Sequence, residues 1–241
     1  MATFVLVHGT HAGGWAWQRL APLLREAGHD VHSPTLTGLG ERVHLARPDI
    51  DLDTYIQDVV NVLHFEDLHD LTLVGSSFGG MVVAGVADRV PERVARLVYL
   101  DATVPEDGQS AADAWSDGSD GSEWLADERT AAAAAGTPHD WPVPVDYIRQ
   151  MVSDEADQAW LLERFVLQPF AALAQPVALR NPAAAAIPRT YVRCTEDAEP
   201  EEPYVTRART QPGWDYRELA ANHFAPFVAP QQTAELLLSL V

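Results

Sequence analysis

The feature that most constrains the fold is a regular alternation of short apolar runs with longer segments of helical spacing. The apolar runs are rich in β-branched residues, and they predict strands over residues 3–8, 29–34, 71–75, 94–102, 190–194 and 214–219. Helical patterns separate these runs, and the clearest is the largely apolar segment 79–89. Strands that alternate with helices predict an α/β fold with a mostly parallel central sheet and helices on both faces.

The middle of the chain does not follow this alternation of strands and helices. Between residues 104 and 188 the sequence has an acidic Gly/Ser-rich stretch, an alanine run and several prolines before helical spacing returns. We therefore expect a core formed by residues 1–103 and 189–241. Residues 104–188 are predicted to form an inserted lid over the carboxyl edge of the sheet.

Composition excludes several classes of chemistry. All sixteen cationic side chains are arginine, so Schiff-base catalysis, a P-loop lysine and a Ser-Lys dyad are excluded. The single cysteine, Cys194, excludes an intrachain disulfide and a cysteine zinc cluster. A net charge of -19 argues against nucleic acids and anionic membrane surfaces as partners. We expect no metal and no organic cofactor.

The ends and the hydropathy of the chain bear on its location. No apolar run approaches the roughly 18 residues of a membrane span, and the first strand lacks the flanks of a signal peptide. We expect a cytoplasmic protein with no membrane partner, and a homodimer stays open.

A sharp turn between a strand and a helix carries the candidate nucleophile. Residues 75–79 read Gly-Ser-Ser-Phe-Gly, which matches G-x-S-x-G directly after the strand 71–75 and directly before an apolar helix. Neighbouring elements pass close to such a turn, so the positions two before and two after the nucleophile must be small, as Gly75 and Gly79 are. This register predicts Ser77 as the nucleophile. The alternative is a tight glycine-rich turn without chemistry.

Two backbone amides are expected to stabilise the oxyanion of an acyl-transfer reaction. One should belong to Phe78, the residue after the nucleophile, and the other to Thr10 in the loop after the first strand. His8 in that loop is interpreted as a structural side chain, whereas His11 is a candidate contact to substrate.

A serine hydroxyl needs an imidazole to accept its proton. Of the nine histidines, only His139 and His223 lie well after Ser77. His139 falls inside the predicted lid, whereas His223 follows the last strand in a short loop at the carboxyl edge. We therefore predict His223 as the base.

The base needs a carboxylate that orients it, and this group is expected after the penultimate strand. The stretch that follows residues 190–194 offers Glu196, Asp197 and Glu199, of which Asp197 stands at the corner between strand and loop. Asp197 is our prediction. Asp101, after an earlier strand, is the second candidate, and its alternative role is to stabilise a loop.

Several stretches together resemble one known family. The segments FVLVHGTHAGGWAW, GHDVHSPTLTGLG, LVGSSFGGMV, YVRCTEDAEP and ANHFAPF resemble the plant methylesterase and hydroxynitrile lyase family, which includes the salicylic-acid-binding methyl esterase, and bacterial pyrethroid-hydrolase-like esterases. The resemblance implies an α/β-hydrolase fold. It also implies Ser77, Asp197 and His223 as the triad and Thr10 and Phe78 as oxyanion donors.

Two positions separate the esterases of this family from the lyases. The lyases carry a lysine directly after the catalytic histidine and a threonine directly after the histidine of the first strand. The present chain has Phe224 and Gly9 there. Without a cation, a departing cyanide anion would lack its stabilising charge, so the resemblance favours an esterase.

The sequence thus predicts a serine carboxylesterase for a small to medium, apolar or aromatic ester. The evidence for an apolar or aromatic substrate is a set of aromatic lid residues, Trp115, Trp124, Trp141, Trp160 and Phe165, although packing of the lid on the core would explain them equally. Of these, Trp115, Trp124, Trp141 and Phe165 are the predicted pocket residues. A tailoring reaction at the same site (lactonase, cyclase or decarboxylase) and a non-catalytic ligand receptor are the alternatives.

Overall fold

A computed structural model describes residues 1–116, 121–196 and 203–241. Its strands are β1 (Thr3–Val7), β2 (Asp30–His32), β3 (Leu71–Ser76), β4 (Val94–Leu100), β5 (Asp140–Trp141), β6 (Gln168–Pro169), β7 (Arg189–Cys194) and β8 (Trp214–Leu219). The strands predicted from the sequence are confirmed, with ends that differ by a few residues at most.

Helices connect these strands on both faces of the sheet. The α-helices are α1 (Ala21–Glu26), α2 (Leu52–Phe65), α3 (Gly79–Arg89), α4 (Ala111–Trp115), α5 (Gly121–Ala134), α6 (Val145–Met151), α7 (Glu155–Leu162), α8 (Phe170–Ala174), α9 (Pro182–Ala185), α10 (Pro203–Thr210), α11 (Ala225–Val228) and α12 (Pro230–Leu238). Short 3-10 helices cover Gly14–Trp17, Gly40–Leu45 and Pro91–Arg93. In the described residues, no helix is long and apolar enough to cross a membrane.

The central sheet has the strand order β2-β1-β3-β4-β7-β8, and all its neighbouring strands are parallel. The register pairs Ser76 with Leu100 and Cys194 with Leu219, so these strands end at one common edge. The expected α/β architecture is therefore confirmed. Because parallel strands end on the same side, residues that directly follow β3, β4, β7 and β8 converge there.

Alternating side chains of each strand pack into two separate hydrophobic cores, one on each face of the sheet. Val5 and Val7 point to the face covered by α2 and α3, whereas Phe4 and Leu6 point to the opposite face. On the first face, α2 buries one stripe of apolar residues. Asp51 caps its N-terminus, because the Asp51 carboxylate accepts a hydrogen bond from the Thr54 amide at 2.9 Å. Burial on both faces holds the sheet, and hence its carboxyl edge, in place.

The segment between β4 and β7 has a different character. It contains α4 to α9 and the antiparallel pair β5–β6, which is separate from the central sheet. Ile148, Val152 and Leu161 of this segment form a small core together with Phe227 of α11. Part of the segment thus rests on the loop region that follows β8.

Candidate active site

The turn between β3 and α3 presents Ser77. Its backbone has a φ of 54°, a left-handed conformation that is rare for residues other than glycine. Such strain persists only where the surroundings enforce it, and it is common at functional sites. The Ser77 carbonyl accepts hydrogen bonds from the amides of Gly80 and Thr103, both at 3.0 Å, which anchor the turn to α3 and to the loop after β4.

Glycines around Ser77 allow the turn to form. A Cβ at Gly75 would lie 2.6 Å from the Gly79 carbonyl oxygen, and one at Gly79 would lie 2.6 Å from the Val7 carbonyl oxygen. Neither contact is sterically tolerable, so the requirement for small residues at both positions has a direct cause in the packing. A Cβ at Gly9, in the loop after β1, would lie 2.8 Å from Cβ of Ser77.

His223 lies in the loop between β8 and α11. Its Nδ1 donates a hydrogen bond to Oδ2 of Asp101 over 2.8 Å. The neighbouring Asn222 shapes this loop, because its side-chain oxygen accepts a 3.0 Å hydrogen bond from the Phe224 amide. With Nδ1 as the donor, Nε2 of a neutral ring is the nitrogen that can accept a proton.

Asp101 directly follows β4 and also has a left-handed backbone, with a φ of 45°. Its carboxylate is almost fully buried. Oδ1 accepts a hydrogen bond from the Cys194 amide at 3.0 Å and lies 3.7 Å from Nη1 of Arg193. The carboxylate thus has fixed partners on one oxygen and the imidazole of His223 on the other.

The predicted acid, Asp197, lies outside the described residues, as does Glu199. Glu196 is described, and its side chain is exposed. Within the described residues, the carboxylate hydrogen-bonded to Nδ1 of His223 is that of Asp101, the second candidate of the sequence analysis. Both positions follow strands that end at the same edge of the sheet, so position along the chain, which favoured Asp197, does not decide between the two carboxylates.

The loop after β1 lies beside Ser77. Thr10 lines the same cavity as Ser77, and no hydrogen bond donated by the amide of Thr10 or Phe78 is found in the part of the chain that is described. His8 has both ring nitrogens engaged, since Nδ1 donates to the Gly9 carbonyl at 2.8 Å and Nε2 accepts from the Leu36 amide at 3.2 Å. Burial lowers the pKa of His8 to about 4, so it is a neutral structural side chain.

A cavity of about 540 Å³ opens at the carboxyl edge of the sheet, and Ser77, Asp101 and His223 all line it. The predicted pocket residues line it as well: His11, Trp115, Trp124, Trp141 and Phe165. Trp160, another aromatic residue of the same segment, instead stacks on Phe227 with ring centroids 5.2 Å apart. His139, the histidine rejected as the base, is exposed.

Several residues that line the cavity were not predicted from the sequence. Trp15, Tyr147, Tyr191, Tyr204 and Arg193 contribute to its wall. Trp15 follows the loop after β1 and Arg193 lies near the end of a predicted strand, so their positions carried a usable signal. Tyr147 lies on α6, and nothing in the sequence pattern indicates which face of that helix meets the core.

Comparison with known proteins supports the assignment of the fold. The model of the α/β hydrolase family matches residues 4–236. A carbendazim hydrolyzing esterase from Nocardioides sp. (strain SG-4G) is 35% identical over 244 residues, which cover 100% of both chains. Salicylic acid-binding protein 2 from Nicotiana tabacum is 33% identical over 106 residues, covering 43% of this chain and 40% of that protein.

A solved structure is similar over nearly the whole chain. It is an extracellular α/β-hydrolase from a Paenibacillus species, described as sharing structural and functional homology with the tobacco protein. It superposes with a TM-score of 0.83 at 28% identity and covers 99% of this chain and 98% of its own. The family resemblance drawn from the sequence motifs is therefore confirmed, and the chain belongs to the α/β-hydrolase family.

Proposed function

We propose that this chain is a serine carboxylesterase in which Ser77 attacks the ester, His223 is the base and Asp101 orients the base. One observation carries the proposal: the hydrogen bond of 2.8 Å from His223 to Asp101 lies in the cavity that the strained Ser77 also lines. A serine on a sharp turn, an imidazole and a buried carboxylate in one cavity form the arrangement required for acyl transfer.

The proposed reaction has two steps. Ser77 Oγ bonds to the ester carbonyl carbon while its proton passes to Nε2 of His223, and the amides of Thr10 and Phe78 hold the oxyanion. The C–O bond to the alcohol then breaks, and the alcohol leaves with the proton from His223. Water then gives a proton to Nε2 of His223 as its oxygen bonds to the acyl carbon. The bond between that carbon and Ser77 Oγ breaks, the proton passes from His223 to Oγ, and the acid leaves.

Asp101 suits the role of the acid for physical reasons. An imidazolium forms at His223 in each step, and a buried carboxylate at hydrogen-bond distance stabilises that cation strongly. The Cys194 amide and the Arg193 guanidinium fix the orientation of the Asp101 carboxylate. Asp197 remains the competing assignment from the family resemblance.

The substrate we propose is an apolar or aromatic ester of modest size. Much of the cavity wall consists of aromatic side chains, and its volume of about 540 Å³ suits a drug-sized molecule. We further propose that residues 104–188 act as the lid, because Trp115, Trp124, Trp141 and Phe165 reach the cavity from that segment. The relative from Nocardioides is an esterase, which supports ester hydrolysis as the reaction.

Replacement of the nucleophile tests the proposal. Ser77→Ala should lower the turnover of p-nitrophenyl and methyl aryl esters by about a million-fold, as in other triads. A serine-directed phosphonate should label the wild-type protein at Ser77 and leave the variant unlabelled. Retention of most activity in the variant would rule out this nucleophile. A substrate panel that also contains lactones and β-keto esters distinguishes the esterase from a tailoring enzyme.

Two variants compare Asp101 with Asp197 as the acid of the triad. Asp101→Asn should lower kcat by about ten-thousand-fold, because the amide no longer stabilises the imidazolium and favours the wrong tautomer. Asp197→Asn is the matched variant, and we expect a much smaller loss. A larger loss for Asp197→Asn than for Asp101→Asn would assign the acid to Asp197.

A further inference from the structure

The loop that carries His223 is attached to the core at both of its ends. The Glu196 amide donates a hydrogen bond to the Ala221 carbonyl at 3.0 Å, which ties the start of the loop to the end of β7. After the histidine, the Ala225 amide donates to the Asn222 carbonyl at 2.9 Å, and Ala225 is buried at the start of α11. Residues 222–224 between these anchors are only partly buried. Their orientation therefore depends on the element that packs on them.

That element is α6, which also lines the cavity. The ring of Tyr147 on α6 lies against those of His223 and Phe224, with centroids 6.2 and 6.1 Å apart. Nδ2 of Asn222 donates a hydrogen bond to the carbonyl oxygen of Met151, the last residue of α6. Carbonyls at the C-terminus of a helix have no donor within the helix, so the Asn222 side chain caps α6.

The partners of Asn222 fix the orientation of its side-chain amide. Oδ1 accepts a hydrogen bond from the Phe224 amide at 3.0 Å, whereas Nδ2 faces the carbonyl of Met151. A rotation of the amide by 180° would place donor against donor and acceptor against acceptor, so both bonds would be lost. Asn222 thus bridges the loop and α6, and it directly precedes His223 in the chain.

Other contacts hold α6 and α7 on the core without Asn222. Apolar side chains of both helices pack with Phe227 of α11 in a small core. The guanidinium of Arg19 donates to the carboxylate of Asp157 on α7 at 2.5 and 2.9 Å, and also to the Phe227 carbonyl at 3.1 Å. Loss of the Asn222 bridge should therefore leave these helices in place and change the alignment of residues 222–224.

We propose that Asn222 is a positioning residue, which aligns the imidazole of His223 on Asp101 through its hydrogen bond to α6. This inference rests on the proposed esterase function and adds a residue to the same reaction. The bond of 2.8 Å between His223 Nδ1 and Asp101 sets the direction of Nε2, the nitrogen that takes the proton of Ser77. Misplacement of a reacting group by about an ångström costs up to about a hundred-fold in rate.

Asn222→Ser separates the bridge from the local turn. A serine hydroxyl still accepts a hydrogen bond from the amide two residues on, but it is too short to reach Met151. For a methyl aryl ester, kcat should fall by at least about fivefold, because His223 takes part in both steps. The dissociation constant of the ester, measured in the Ser77→Ala background, should stay within about twofold. A smaller fall in kcat, or an effect on binding alone, would overturn the proposal.

Gln158→Ser is the matched control. Gln158 lies on α7, and its Nε2 donates to the carbonyls of Arg149 at 3.3 Å and Val152 at 2.6 Å. It therefore caps the same end of α6 as Asn222 does, through a side chain that belongs to the lid segment. This control should lose a similar amount of thermal stability and keep kcat within about twofold of the wild type. A loss of kcat as large as that of Asn222→Ser would overturn the proposal, because it would reflect the stability of α6.

A spectroscopic readout tests the alignment without a substrate. The proton on His223 Nδ1, held by Asp101, should give a downfield ¹H NMR resonance that is absent from His223→Ala. The resonance should persist in Gln158→Ser and broaden through exchange with water in Asn222→Ser. A resonance that is the same in Asn222→Ser as in the wild type, or missing from both, would overturn the role of Asn222.

The two readouts separate this inference from the proposed function. If the wild-type protein hydrolyses no ester and the phosphonate does not label Ser77, the esterase proposal is wrong, and the resonance alone decides the role of Asn222. If esters are hydrolysed and Asn222→Ser keeps both kcat and the resonance, the esterase stands and the role of Asn222 is wrong.

Discussion

His8 and His11 stand three positions apart in the loop after β1, and both are buried as neutral rings. Burial lowers the pKa of each from 6.5 to about 4. Between these values the unfolded chain binds protons that the folded protein does not bind. The stability that each histidine contributes is therefore complete above pH 6.5 and is lost as the pH falls towards 4.

This linkage predicts an effect of His11→Asn on the pH dependence of stability. For a pKa that falls from 6.5 to about 4, one histidine accounts for a loss of about 2 kcal/mol between about pH 7.5 and about pH 5. The variant should lose about that much less unfolding free energy over this interval than the wild type does. Urea denaturation at the two pH values measures the difference.

The matched control for this prediction is His64→Asn. His64 is exposed on α2, so its substitution should leave the pH dependence as in the wild type. An equal pH dependence in His11→Asn and the wild type would show that the buried ring does not titrate as expected. Because the comparison uses differences across pH, the hydrogen bond that the variant loses, from His11 Nδ1 to the Val166 carbonyl, largely cancels.

At the scale of elements, the candidate active site lies where the register of the sheet brings strand ends together. Ser77 directly follows β3 and Asp101 directly follows β4, and the last residues of these strands, Ser76 and Leu100, are paired. Both Ser77 and Asp101 adopt left-handed backbones where the chain turns out of the sheet. His223 follows β8, which lies at the end of the sheet, and the loop after β8 carries its imidazole back to Asp101, with which it forms a hydrogen bond.

Periodicity and local motifs predicted most of this arrangement. Apolar runs fixed the strands of the sheet, and the glycine spacing around Ser77 fixed the turn, because both are local properties of the chain. The choice between Asp101 and Asp197 is not local. It depends on which carboxylate comes within hydrogen-bond distance of His223, and two strand ends at one edge are equivalent in a one-dimensional pattern.

The segment between β4 and β7 was the least predictable part. Trp115, Trp124, Trp141 and Phe165 reach the cavity, whereas Trp160 packs on Phe227. The side that each aromatic residue presents depends on how short helices rest on the core. The sequence of a short helix with little amphipathic pattern does not encode that choice.

The contact between the loop after β1 and the turn after β3 yields a prediction for Gly9. A Cβ at this position would lie 2.8 Å from Cβ of Ser77, which is too close for two carbon atoms. Gly9→Ala should displace the nucleophile and lower kcat/KM by roughly a hundred-fold, since an ångström of misplacement costs about that much. Steady-state kinetics on a p-nitrophenyl ester measures the loss.

Gly28→Ala is the matched control for Gly9→Ala. Gly28 has a φ of +88° with nothing near its missing Cβ, so alanine there strains the backbone far from the cavity. This control should lower thermal stability and leave kcat/KM unchanged. If Gly9→Ala keeps full activity, the loop and the turn are not packed as tightly as the structure indicates.

At the scale of the whole molecule, the charge balance is strongly one-sided. Thirty-five acidic and sixteen cationic side chains give a net charge of -19. Many arginines lie in ion pairs at the surface, such as Arg47 with Asp49 and Arg207 with Glu106. Exposed pairs of this kind contribute little, whereas the surplus of acidic groups repels itself over the whole folded surface.

Salt should therefore stabilise the folded protein. Raising the ionic strength from about 0.01 M to about 0.15 M shortens the Debye length from about 30 Å to about 8 Å, which screens the repulsion among the surplus carboxylates. The exposed ion pairs weaken at the same time, but each is worth at most about 1 kcal/mol, and thirty-five acidic side chains outnumber sixteen cationic ones. We expect Tm to rise by about 2–4 °C for each kcal/mol of repulsion removed.

Sodium and potassium chloride should act alike in thermal denaturation, because screening does not depend on the identity of the cation. A Tm that falls with either salt would mean that the ion pairs outweigh the net charge.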